Sequence, residues 1–116
     1  MHLSLIDRQR SVVYLNEKGL CDSGIGLTVP GARPFRLLSE LLDGSIPVSD
    51  AWVGEAMRRI YGHEGLVLEG GAATGLAAVL SGRLPELGIA PEAPVITVLT
   101  GGNIDLSRHA DVIAGR

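Results

Sequence analysis

The sequence has very little of several residue types on which particular functions depend. One lysine and one cysteine occur among 116 residues, at Lys18 and Cys21. A lone cysteine excludes an intrachain disulfide and favours a reducing, cytoplasmic location. The chain has ten basic and 13 acidic residues, which give a net charge of −3, and the basic residues form no run. No nucleic-acid partner is therefore expected. The single lysine also restricts amine-based chemistry to one position.

Long apolar runs are missing as well. The longest uncharged apolar-rich stretch, residues 70–82, falls short of the roughly 18 residues that a membrane helix needs. Asp7 and Arg8 interrupt the first apolar residues, which argues against a secretion signal. Hydrophobic residues nevertheless make up 46% of the chain and charged residues 20%. This composition predicts one globular cytoplasmic domain with no membrane partner.

Local patterns predict one strand and two helices in the first half of the chain. The β-prone run 11–15 reads as a strand. Pro34 suits the first turn of a helix that Gly44 would stop. Ser49 or Asp50 can cap a second helix, which Gly62 would end.

The second half of the chain predicts an α/β fold. A short apolar run at 66–68, a helix that opens at Gly70 and a β-branched run at 95–99 follow one another. Strand, helix and strand in this order form a βαβ unit, which requires a parallel sheet. The expected architecture is a partial open parallel sheet with flanking helices.

The carboxyl ends of these two predicted strands are the candidate ligand-binding positions, because ligands of open parallel sheets bind there. The first is Glu69-Gly70-Gly71-Ala72 and the second is Thr100-Gly101-Gly102-Asn103. Glycine lets the backbone approach a ligand closely, and a helix start favours an anion. The same spacing is equally compatible with close packing of a helix on a sheet, so the pattern alone leaves both interpretations open.

Other catalytic and binding motifs are not recognisable. Residues 71–75 fit neither a dinucleotide fingerprint nor a phosphate-binding P-loop, since no Gly-Lys-Ser/Thr follows. His2, His63 and His109 have no metal-ligand spacing and are expected at the surface or at helix ends. No metal site is predicted.

Two segments resemble the C-terminal portion of threonine dehydratases and serine racemases, which are pyridoxal-phosphate enzymes of fold type II. Residues 69–82 are similar to that family's Glu-Pro-Ala/Ser-Gly-Ala-like segment and its helix of small residues, although Gly70 replaces the usual proline. Residues 95–106 are similar to the strand that ends in Ser-Gly-Gly-Asn. The resemblance implies that residues 21–116 are the C-terminal part of a dehydratase-like catalytic domain and leaves residues 1–20 unassigned.

The resemblance also implies a set of cofactor-binding residues. Thr100 takes the place of the serine that hydrogen-bonds the pyridine nitrogen of pyridoxal phosphate. Glu69 matches the acidic residue beside the ring, and Gly101 and Asn103 shape the turn under it. Ser23 lies in a loop that would pass near the phenolic oxygen of the cofactor.

The activity implied for the whole family is β-elimination of a hydroxy amino acid, such as threonine or serine, to a 2-oxo acid and ammonia. That chemistry needs a Schiff-base lysine and a phosphate-binding loop, which the family carries in its N-terminal portion. Lys18 does not stand in the family's Ser-Xaa-Lys-Xaa-Arg setting.

We therefore predict a truncated dehydratase-like protein that contributes no catalytic residue and is inactive alone. Its uncovered apolar faces predict self-association or pairing with a complementary N-terminal piece. The alternative is a non-catalytic small α/β binding or regulatory module, which would bind a small anion at the helix start around residues 70–73.

Overall fold

A computed structural model describes residues 31–116 and the backbone of two strands that precede them. The strands are β1 (His2–Asp7) and β2 (Ser11–Leu15), which pair antiparallel with Ser4 opposite Val13. The strand predicted at residues 11–15 is confirmed.

Helices form most of the regular structure within residues 31–116. They are α1 (Ala32–Leu41), α2 (Asp50–Glu64), α3 (Gly70–Leu80) and α4 (Leu106–Ile113), with a short 3₁₀ helix at Leu84–Leu87. The helix predicted to carry Pro34 in its first turn, the helix predicted after Ser49 and the helix predicted to open at Gly70 are confirmed, but the first ends at Leu41, before the predicted stop at Gly44. None of these helices is long and apolar enough to cross a membrane.

The limits of α2 follow from two local signals. The side chain of Ser49 accepts a hydrogen bond from the backbone N–H of Trp52 at 3.4 Å, as expected of a helix N-cap. The predicted end at Gly62 is wrong, because the helix continues to Glu64. Gly65 ends it by adopting a left-handed conformation with φ of 67°, which glycine adopts without steric cost.

The predicted α/β fold with a partial open parallel sheet is wrong, because the structured part of residues 31–116 is helical. Within residues 31–116, the predicted strands at 66–68 and 95–99 form no β-ladder. The strands that do pair in the described part of the chain are β1 and β2, and they are antiparallel. Just beyond the carboxyl ends of the segments 66–68 and 95–99, Glu69 N–H donates to the carbonyl oxygen of Gly101 at 3.1 Å. A parallel ladder needs an evenly spaced series of such bonds along both strands, and a single bond does not make one.

The hydrophobic core lies mainly between α2 and α3. Small side chains let these two helices approach closely, since Ala56, Ala73 and Ala77 are each 0% exposed. The largest fully buried side chains are Met57 and Val53 of α2. The remaining buried apolar residues are Leu68, Ala72 and Val112.

Helix α4 is attached to α2 by Arg58. Its Nη1 donates a hydrogen bond to the carbonyl oxygen of Val112 at 3.0 Å, close to the C-terminal end of α4 where a cation is favourable. Arg58 and Arg59 also pair with Glu55, and the hydrogen bond from Arg59 is the largest cause of a lowered pKa for that carboxyl. Arg58 thus joins two helices in addition to lying on a polar face.

Helix α4 begins at an aspartate cap. One carboxylate oxygen of Asp105 accepts hydrogen bonds from the Ser107 hydroxyl at 2.6 Å, from the Ser107 N–H at 2.8 Å and from the Arg108 N–H at 3.3 Å. These bonds, with the Ser107 hydroxyl first, lower the pKa of Asp105. The ionised carboxylate therefore stabilises the folded chain.

Replacing Asp105 with alanine is expected to lower the free energy of unfolding, whereas asparagine, which also caps helices, should retain most of it. Because the folded-state pKa of Asp105 is lowered, the stabilisation is present above the unfolded pKa and is lost as the pH falls through the folded one. Urea unfolding of wild type and Asp105→Ala at neutral and acidic pH measures this. A stability difference that does not shrink in acid would contradict the assignment.

Candidate functional site

The candidate site is the place where the residue before α3 meets the turn that follows residues 95–99. The N–H of Glu69 donates a hydrogen bond to the carbonyl oxygen of Gly101 here. The close contact also depends on two glycines, Gly101 and Gly102. A Cβ on Gly101 would lie 2.5 Å from Oε1 of Glu69, and a Cβ on Gly102 would lie 2.6 Å from the carbonyl oxygen of Val67. Both distances are shorter than van der Waals contact. The atom near Gly102 belongs to the backbone, so a side chain there would push the turn away from residues 67–69, whereas the atom near Gly101 is the end of a flexible side chain.

Helix α3 holds the segment that leads into this turn. A Cβ on Gly75 would lie 3.3 Å from the Cβ of Thr97, so the helix packs closely on residue 97. Thr74 on the same helix donates its hydroxyl to the carbonyl oxygen of Gly71 at 2.9 Å, which satisfies one polar group near the helix start. The close packing of α3 thereby fixes the position at which the segment turns at Thr100.

The residues predicted to bind a cofactor differ in their surroundings. Glu69 and Gly101 are half-buried and in contact with each other. Thr100 and Asn103 are exposed, and no hydrogen bond joins the side chain of Thr100 to another group within residues 31–116. Ser23 lies outside the described residues. The structure therefore brings one predicted pair together and leaves the Thr100 hydroxyl accessible, and the cofactor roles of all five residues stay predictions.

The start of α3 is a poor site for a free anion. A helix N-terminus attracts negative charge through its unpaired N–H groups. Here the half-buried Glu69 is the N-cap residue, and the N–H of Ala72 already donates to the Glu69 carbonyl oxygen at 3.1 Å. A second negative charge beside the Glu69 carboxylate would be repelled. This observation argues against the anion-binding module considered as the alternative function.

His109 is a residue whose position the sequence interpretation missed. It is only 5% exposed, in contrast to the expected place at the surface or at a helix end. Its ring meets the edge of Tyr61 at a centroid distance of 5.2 Å and an angle of 73°. Its Nε2 has no hydrogen-bond partner within the part of the chain that the structure describes. The three-residue spacing from His109 to the buried Val112 of α4 was the available signal for its inward position.

A shallow apolar pocket lies beside His109. Its lining consists of Val67 from the segment before the candidate site, Tyr61 of α2 and one face of α4 that includes Leu106 and Ile113. The pocket offers little polar chemistry besides the imidazole. Within residues 31–116, no group of three potential metal ligands is present.

Pyridoxal phosphate is the cofactor that the resemblance implies, and among the described residues Thr100 suits one edge of its ring. Thr100 offers an accessible hydroxyl for a ring nitrogen. The space that a side chain of Gly101 or Gly102 would fill is occupied by Glu69 and Val67, so these glycines serve the contact with residues 67–69. The aldehyde and phosphate ends of the cofactor have no counterpart among residues 31–116. No lysine occurs in that range, and it contains no phosphate-binding motif.

Comparison with known proteins identifies the class that this chain resembles, which is the threonine dehydratases. A protein from Sinorhizobium fredii that carries this name is 37% identical over 99 residues, which cover 84% of this chain and 29% of that protein. A catabolic L-threonine dehydratase from Staphylococcus aureus is 29% identical over 105 residues, covering 90% of this chain and 30% of the enzyme. The enzyme from another strain of that species is 30% identical over 90 residues, covering 78% and 26%.

The chain therefore spans less than a third of the length of these relatives. No family model and no solved structure matches it. The predicted similarity to threonine dehydratases is confirmed, and so is the prediction that it concerns only part of a dehydratase.

Proposed function

We propose that this chain is the C-terminal portion of a threonine dehydratase-like catalytic domain that lies beside the cofactor ring, and that it is inactive alone. The observation that carries the proposal is the contact between Glu69 and Gly101. It places the acidic position of one dehydratase-like motif next to the glycine turn of the other, 32 residues further along the chain. The similarity to named threonine dehydratases over most of the chain supports the same conclusion.

Each described site residue has a definite task in this proposal. Thr100 hydrogen-bonds the pyridine nitrogen through its accessible hydroxyl, which leaves that nitrogen largely unprotonated because a hydroxyl carries no negative charge. Glu69 lies beside the ring, and Gly101 shapes the turn under it. Asn103 supports the turn from its exposed end. Bound pyridoxal phosphate would supply the electron sink that lets a β-hydroxy amino acid lose its hydroxyl group and yield a 2-oxo acid and ammonia.

Turnover requires groups that residues 31–116 do not supply. The lysine that binds the cofactor and the loop that holds its phosphate would come from the N-terminal portion of a dehydratase. Lys18 is the only lysine of this chain, and its neighbours Asn16, Glu17 and Gly19 differ from the family's lysine setting. We accordingly propose that a lysine-bearing polypeptide is needed for activity.

The proposal can be tested by complementation. The part of the Sinorhizobium fredii relative that precedes its matched region would be purified and mixed with this chain, pyridoxal phosphate and threonine. Ammonia and a 2-oxo acid are expected only when both polypeptides are present. Thr100→Ala should lower the rate at least about tenfold, because it removes one hydrogen bond to the ring, while Thr100→Ser should retain most of it. Equal rates for the two variants would contradict the role of Thr100.

The chain alone provides the complementary measurement. With pyridoxal phosphate and borohydride it should show no specific reduced adduct, and it should release no ammonia from threonine. Lys18→Ala serves as the control, since it removes the only lysine. Ammonia release by the wild-type chain that disappears in Lys18→Ala would overturn the claim of inactivity.

A further inference from the structure

Residues 95–99 expose an apolar face that no other part of residues 31–116 covers. Ile96 is 93% exposed and Val98 is 73% exposed, whereas Thr97 and Leu99 between and after them are half-buried. This alternation with a period of two is typical of extended chain, in which successive side chains point to opposite sides. Within residues 31–116, no backbone hydrogen bond joins this segment to another. With respect to residues 31–116 it therefore has the properties of an unpaired edge strand, which is a template for pairing with another chain.

We propose that a second copy of this chain pairs with residues 95–99 as an antiparallel strand centred on Thr97. The sequence Val-Ile-Thr-Val-Leu is nearly the same in both directions. A two-fold axis at Thr97 places Ile96 of each copy opposite Val98 of the other, and it places Val95 opposite Leu99. Such an interface is isologous, because the same patch serves both copies. Each exposed side chain then gains an apolar cross-strand neighbour on the same face of the strand pair.

The charge pattern around the segment favours a second copy as the occupant. No charged residue occurs from 93 to 100. In the register centred on Thr97, the nearest charge, Glu92, lies opposite Gly102 of the other copy, so no like charges are brought together. The segment also lacks the lysine or proline within the strand that commonly protects exposed edges from self-pairing.

The expected dimer is weak. Five paired residues a side bury less than the roughly 800 Å² per partner of a standard stable complex. A dissociation constant on the order of micromolar follows for such a small interface. Monomer and dimer should therefore coexist at ordinary protein concentrations.

Sedimentation equilibrium of the full chain tests whether the face associates. The wild-type chain, with a monomer mass of 12.1 kDa, should show a reversible monomer–dimer equilibrium. Ile96→Lys should raise the dissociation constant at least tenfold, because it places two charges in the strand pair. The matched control is Leu106→Lys, since Leu106 is 71% exposed but lies on α4, and it should leave the constant unchanged.

Cysteine cross-linking tests the register in a Cys21→Ser background. Directly opposite residues of an antiparallel pair have Cα atoms about 4.5 to 5.5 Å apart, which suits a disulfide. An oxidised mixture of Ile96→Cys and Val98→Cys chains should therefore form a mixed disulfide dimer. Each variant alone should not, because two copies of residue 96 would lie about 8 Å apart.

Three results would overturn the proposal. The first is a wild-type chain that stays monomeric throughout the micromolar range. The second is a dimer that forms without the mixed Ile96/Val98 cross-link. The third is a dimer that dissociates when the N-terminal dehydratase fragment is added, with a complex of this chain and the fragment forming in its place, which would make that fragment the occupant. None of the three depends on whether the chain binds pyridoxal phosphate, so this test and that of the proposed function can fail separately.

Discussion

Replacing Met57 with alanine is expected to lower the free energy of unfolding by about 2 to 5 kcal/mol. Met57 is 1% exposed and is one of the two largest fully buried side chains. Four of the other seven buried core residues are alanines, which are too short to fill the space that a truncated methionine leaves. A loss of this size is a large part of the stability of a small domain. Urea unfolding followed by circular dichroism gives the measurement.

Two variants serve as controls for Met57→Ala. Met57→Leu keeps most of the volume and should cost less than about 1.5 kcal/mol. Leu41→Ala removes a comparable side chain that is 75% exposed on α1, and it should change stability by no more than about 0.5 kcal/mol. If Met57→Ala and Leu41→Ala destabilised the chain equally, α2 and α3 would not enclose the core.

Replacing Gly102 with alanine is expected to destabilise the chain by about 1 to 3 kcal/mol, as overpacking does. The added Cβ would lie 2.6 Å from the carbonyl oxygen of Val67. That neighbour belongs to the backbone and cannot rotate away, so the whole turn must move from residues 67–69. The change should also abolish complementation with the dehydratase fragment, because the turn would no longer support Thr100.

Gly62→Ala is the matched control for Gly102→Ala. Gly62 lies within α2, and an added Cβ meets nothing within 4 Å. Alanine is favoured over glycine inside a helix by roughly 0.5 to 1 kcal/mol, so this variant should be more stable than wild type. Equal destabilisation by both substitutions, measured by urea unfolding, would contradict the close approach of Gly102 to Val67.

The helices could be predicted from the sequence because their signals are local. The cap of α2 at Ser49 and the opening of α3 at Gly70 depend on neighbouring residues alone. The end of α2 was placed too early, because Gly62 and Gly65 are both adequate stop signals. Only the backbone conformation distinguishes them, and Gly65 is the glycine with a positive φ.

The parallel sheet could not be predicted reliably because it depends on non-local partners. The run 95–99 has the β-branched composition of a strand, yet composition does not reveal whether a neighbouring strand is available to pair with it. In the described part of the chain it packs on α3 and forms no ladder. Three or more strands, or a covering helix, are generally needed before such pairing is stable.

The candidate site was predictable to the extent that its motifs are specific. The positions of Glu69 and Gly101 at two segment ends followed from the order of apolar and glycine residues, and the structure brings these ends into contact. The inward position of His109, in contrast, is not encoded in a motif of neighbouring residues. Burial of His109 follows from the packing of α4 on α2, which is a tertiary contact.

A double-mutant cycle between Glu69 and Gly101 tests most directly whether the two segment ends lie together. The free energy of unfolding would be measured for wild type, Glu69→Ala, Gly101→Ala and the double variant. A Cβ at position 101 would lie 2.5 Å from Oε1 of Glu69, so Gly101→Ala should cost less once Glu69 is alanine. We predict a coupling of at least about 0.5 kcal/mol, as is usual for residues in contact. If the losses of unfolding free energy in the two single variants add up to the loss in the double variant within about 0.3 kcal/mol, the contact between Glu69 and Gly101 would be contradicted.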